Sequence, residues 1–85
     1  MKKILMFYIP TWPFCIDAFA FVEELQEEYP ELKALEIEKI NEKEQVELAN
    51  SYDYYYVPTY YVDGVKLHEG IPSKEAIEEV LRAAL

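Results

Sequence analysis

Six consecutive apolar residues, Ile4-Leu5-Met6-Phe7-Tyr8-Ile9, run straight into Pro10-Thr11-Trp12-Pro13. An apolar run of this length with no alternation fits a strand that is covered on both faces. The two prolines stop it, because neither can donate to a sheet ladder. A strand needing cover on both sides points to an α/β chain, with helices packed on a central sheet.

The pattern changes period after the break. Cys15, Ala18, Phe19, Val22, Leu25 and Tyr29 follow the i, i+3, i+4, i+7 rule and define the buried stripe of a helix. Pro13 suits its first position, where a missing N–H costs nothing, and Pro30 marks its end. Glu23, Glu24, Glu27 and Glu28 crowd the C-terminal half, where the helix dipole disfavours them, and read as a solvated face. Leu35-Glu36-Ile37-Glu38 alternates and predicts a second strand. Asn41 with Glu44 resembles a helix N-cap arrangement, and Val46, Ala49 and Tyr52 then give a short second helix. Thr59 to Val62, Asp63-Gly64, and Val65 to Glu69 form the strongest hairpin signal in the chain. Ser73 can cap a last helix that turns Ile77, Val80, Leu81 and Ala84 inward. The order is β-α-β-α-β-β-α. It predicts one domain over residues 1–85, with a first parallel strand pair and a closing antiparallel pair.

Composition narrows the function. Eight basic residues stand against seventeen acidic ones, for a net charge of −9. Such a chain repels phosphate backbones and anionic lipid, so nucleic acid and membrane are not expected partners. No apolar run approaches the ~20 residues of a membrane span. The N-terminal apolar run is too short for a secretory leader, and a cytoplasmic location is the expectation. Cys15 is the only cysteine and His68 the only histidine. They cannot form a disulfide within the chain, and two ligands do not make a zinc site.

The turn from the first strand into the first helix lies where sites gather in open α/β sheets. Here it is Pro10-Thr11-Trp12-Pro13-Phe14-Cys15. A helix N-terminus presents free N–H groups that stabilise a thiolate. This segment resembles the glutaredoxin active-site segment P-T-C-P-Y-C. Val57-Pro58-Thr59 resembles the family's V-P or I-P-T motif with its cis-proline, and Gly70 matches a glycine after the hairpin. The resemblance spans nearly the whole chain. It implies a thioredoxin fold in its glutaredoxin form, a mixed four-stranded sheet flanked by helices, with a thiol–disulfide oxidoreductase lineage.

The chain departs from the family at the decisive position. In glutaredoxins the first cysteine of C-x-x-C attacks a disulfide, and the second resolves the mixed disulfide. Trp12 stands at the first position and has no thiol. The dithiol, monothiol and iron–sulfur roles all use that residue, so the resemblance implies little or no redox activity. Aligning Trp12 with the tryptophan before the thioredoxin C-x-x-C fits worse and puts Pro13 in the nucleophile's place. Cys15 matches the resolving cysteine. It reads as a small buried hydrophobe or as a slow, shielded thiol. Glutathione, the family's cofactor, meets Ile9 where glutaredoxins often carry a lysine. It also meets a single glycine, Gly70, where they carry a Gly-Gly pair followed by aspartate. No cofactor is therefore expected.

The family's peptide-facing residues correspond to Pro13, Phe14, Val57, Pro58 and Thr59. In this fold the backbone before the cis-proline pairs with an extended substrate, a form of strand addition that needs no cysteine. An extended peptide or a thiol protein is the expected partner, and the chain is expected to be a monomer. Tyr52, Tyr54, Tyr55, Tyr56, Tyr60 and Tyr61 cluster around Pro58. Tyr60 and Tyr61 read as sheet packing. Tyr54, Tyr55 and Tyr56 fit either packing or a peptide platform beside Trp12. The sequence leaves open whether Trp12 fills that face. His68 reads as a partly exposed neighbour of Glu69 with no catalytic role.

Overall fold

The computed structural model describes all 85 residues, Met1–Leu85. The elements in order are β1 (Ile4–Tyr8), α1 (Pro13–Glu28), a 3-10 turn (Pro30–Leu32), β2 (Ile37–Asn41), α2 (Val46–Asn50), β3 (Thr59–Val62), β4 (Val65–Glu69) and α3 (Lys74–Ala83). They build one mixed four-stranded sheet in the order β2-β1-β3-β4. β1 pairs in parallel with β2 and antiparallel with β3, and β3 and β4 form the hairpin.

Alternation along β1 sorts the core into two clusters, one on each face. Ile4 and Met6 join Tyr60 and Val62 under α1 and α3, in a cluster that includes Ala18, Val22, Leu25, Ile77, Val80 and Leu81. Leu5 and Phe7 face the other way, with Ile40, Ala49, Val57 and Tyr61. Cys15, at the start of α1, packs with this second cluster.

Local chemistry explains the element ends. Pro13 opens α1, and Tyr29 leaves the helix in extended geometry before Pro30. The acidic C-terminal half of α1 is not wholly solvated, because Lys74 of α3 reaches Glu24 at 3.3 Å and Glu28 at 2.5 Å. Asp63 and Gly64 both have positive φ, 48° and 81°, which suits the right-handed twist of the hairpin. The Ser73 side chain accepts from the Ala76 N–H at 3.1 Å and caps α3.

Two expectations shift. β2 starts at Ile37, which pairs with Ile4, and not at Leu35. Leu35 is buried in the preceding connection, where the Gln26 side chain donates to the carbonyls of Leu32 and Leu35. Asn41 ends β2 and does not cap α2. Its side chain instead accepts from the Lys43 N–H at 3.0 Å, an Asx turn. α2 follows with Gln45 before it and no side-chain cap, and Val46 is exposed.

Candidate functional site

The β1–α1 turn is set by backbone bonds. The Trp12 N–H donates to the Ile9 carbonyl at 3.0 Å, and the Trp12 carbonyl accepts from Cys15 and Ile16 at 3.0 and 3.1 Å. Trp12 is thus the residue that precedes α1, with extended φ and ψ and no side-chain cap. The Phe14 N–H in the first turn has no acceptor within the chain. It is the one free donor of this helix start, because Pro13 has no N–H and Cys15 and Ile16 are paired, and it carries a positive partial charge.

Trp12 does not fill the face beside Pro58. It is 48% exposed and stands on one side of an open groove of about 670 Å³. Phe14, Tyr55, Tyr56, Val57 and Ile71 line the groove with it, together with Glu42 and Glu69. The Val57–Pro58 peptide bond is cis. Val57 has a buried side chain, yet neither its N–H nor its C=O finds a partner within the chain. Pro58 and Thr59 are fully buried and are not among the groove residues. The Pro58 carbonyl accepts from the Gly70 N–H at 3.0 Å, and the Thr59 hydroxyl donates to the Tyr56 carbonyl.

The sulfur sits apart from this surface. Cys15 is a free thiol with no solvent exposure. Burial pushes its pKa up, the Ile9 backbone pulls it partly back, and the charge of Glu42 raises it again. A thiol held protonated and shielded is a poor nucleophile. No cluster of three or more His, Cys, Asp or Glu side chains could hold a metal ion.

A thioredoxin domain family matches residues 3–82. The chain is 37% identical to thioredoxin from Methanocaldococcus jannaschii over 83 residues, covering 98% of this chain and 95% of that protein. The chain belongs to the thioredoxin domain family. The structure is also similar to the first two thioredoxin domains of Saccharomyces cerevisiae Eps1p, with a TM-score of 0.57 and 22% identity. That match covers 95% of this chain and 34% of the other, so the chain spans about a third of that structure's length, and it supports the fold alone.

As a thioredoxin domain, the chain brings Trp12, Phe14 and Val57 together at one groove. Pro13 is exposed on the first turn of α1 but is not among the groove residues. Sequence reasoning missed Glu42, Glu69 and Ile71. Glu42 follows β2, Glu69 ends β4 and Ile71 follows it. The only sequence signal was that two of the three lie at strand ends. Tyr54 is half-buried and donates to Glu42 at 2.9 Å, whereas Tyr55 and Tyr56 are open to solvent. Packing thus takes Tyr54, and the groove takes the other two. His68 is partly buried on β4, with its ring nitrogen 3.0 Å from the Gly70 carbonyl.

Proposed function

We propose that this thioredoxin domain has lost its attacking thiol and carries little or no thiol–disulfide exchange. The observation behind this reading is the placement of side chains at α1. Trp12 occupies the helix-start position where a thiolate would be stabilised, while Cys15, the one sulfur able to form a thiolate, is fully buried with its pKa raised. Disulfide exchange needs a thiolate that can reach its target.

The test is reduction of a generic protein disulfide by the chain and by its Trp12→Cys variant. The unaltered chain is expected to match the uncatalysed rate, and the variant to exceed it by about 100-fold or more, because its new thiol gains the depressed pKa of a helix N-terminus. Turnover by the unaltered chain would make Cys15 a nucleophile and end this reading. Half-exposure of Trp12 keeps the stability cost of the change near about 1 kcal/mol, below the ~3 kcal/mol or more of a buried indole.

A second reading is favoured by Val57. Its unpaired backbone N–H and C=O lie beside an open apolar groove, the arrangement that accepts an extended segment by strand addition. In this reading the domain holds a peptide without reacting with it.

A further inference from the structure

The aromatic residues of this half of the molecule fall into two sets. Phe7, Tyr52, Tyr54 and Tyr61 pack on one another, with ring centroids 4.9 to 5.9 Å apart. Trp12, Phe14, Tyr55 and Tyr56 instead border the groove, where they are 37% to 87% exposed. Rings left open in this way, with carboxylates beside them, favour a cationic guest, because the ring face is negative and the carboxylate supplies a counter-charge.

The two groove carboxylates are not equivalent. Glu69 is already committed: it accepts from Lys66 at 2.7 Å and from the Tyr55 and Tyr56 N–H groups at 2.5 and 3.0 Å. Glu42 accepts from the Tyr54 hydroxyl at 2.9 Å and pairs with no lysine or arginine. No cation lines the groove. The net charge of −9 adds a long-range field of the same sign.

We propose that the groove selects an extended peptide segment bearing a lysine or arginine, whose cationic head lies among Trp12, Tyr55 and Tyr56 and meets Glu42. The proposal rests on the peptide-holding reading of Val57. Backbone pairing at Val57 supplies the sequence-independent part of the binding, and the aromatic wall with Glu42 supplies the choice of side chain.

Trp12 is the sole tryptophan, so its fluorescence reports on the groove directly. The probes are acetyl-Ala-Val-Lys-Val-Ala-amide and the same peptide with norleucine in place of lysine. The lysine peptide is expected to bind about tenfold more tightly. Glu42→Gln is expected to erase most of that preference, read as the ratio of the two peptides' affinities for the same variant. Gln keeps an acceptor for Tyr54, so the fold is not put at risk. Glu44→Gln removes the same charge from an exposed site off the groove, and the preference should survive it. Equal binding of the two peptides overturns the charge selection and leaves peptide holding intact. A preference that persists in Glu42→Gln overturns the assignment to Glu42. No fluorescence change with either peptide at millimolar concentration removes the peptide-holding reading, and the proposal with it.

Discussion

The two faces of the sheet are built differently. One lies under α1 and α3, of sixteen and ten residues, and buries a cluster of thirteen residues. The other lies under α2, of five residues, and the loop that follows, and buries seven. The first face buries the larger cluster, and its rim, at Tyr8, Phe19 and Ile37, stays partly open. The second is thinly covered and rich in rings, and its upper edge opens into the groove. The larger core and the proposed recognition surface thus lie on opposite sides of a single sheet. The proposed absence of an attacking thiol would then cost the fold little, since neither Trp12 nor Cys15 belongs to the larger cluster.

The largest expected effect tests whether the stability is in fact so divided. Leu25, on the inner face of α1, is fully buried. Leu25→Ala leaves a cavity and should lower stability by about 3 kcal/mol. Leu48, on α2, is partly exposed, and Leu48→Ala should cost less than about 1 kcal/mol. Urea midpoints read both. Equal losses would show that the thin face bears as much of the fold as the thick one.

A pair of neighbouring tyrosines sharpens the comparison with effects of opposite sign. Tyr60 and Tyr61 point to opposite faces of β3. The Tyr61 hydroxyl donates to the Asp53 carbonyl at 2.6 Å. Tyr61→Phe should therefore destabilise by about 1 kcal/mol. The Tyr60 hydroxyl is buried without a hydrogen-bond partner, and burial drives its pKa up. Tyr60→Phe deletes a desolvated polar group and should be neutral or stabilising, by up to about 1 kcal/mol. A loss in Tyr60→Phe as large as in Tyr61→Phe would mean that the thick face is not as dry as its packing indicates.

The sequence was most legible where a short segment decides its own structure. Asp63-Gly64 fixes the hairpin, because both residues accept positive φ. Ser73 caps α3, and Cys15, Ala18, Val22 and Leu25 turn one stripe of α1 inward. β2 was misplaced by two residues because it is an edge strand with Glu38 and Lys39 exposed, so alternation did not mark its start. Asn41 misled for a related reason: its side chain serves an Asx turn as well as it serves a cap. The groove was half legible. Trp12, Phe14 and Val57 stand in recognisable segments, whereas Glu42 comes from the end of β2 and Glu69 and Ile71 from the end of β4. Only the sheet order brings those ends together.

The smallest expected effect concerns how the thin cover is tied down. Glu69 holds Lys66 and the N–H groups of Tyr55 and Tyr56. The Lys66 ammonium first, then the two amides, pull its carboxyl from 4.5 to about 2. Because the folded-state pKa lies below the unfolded value, the stabilisation is fully present above pH 4.5 and is lost as pH falls towards about 2. Partial solvation keeps the effect modest. Glu69→Gln should flatten the fall in urea midpoint across that window and slightly lower the midpoint at neutral pH. Amide exchange then locates the effect. In the unaltered chain the Tyr55 and Tyr56 amides should lose protection as Glu69 protonates, while the Val22 and Leu25 amides of α1 keep theirs. Simultaneous loss at both places would mean that the two faces open as one unit, and the loop over the groove could not move independently of the core beneath it.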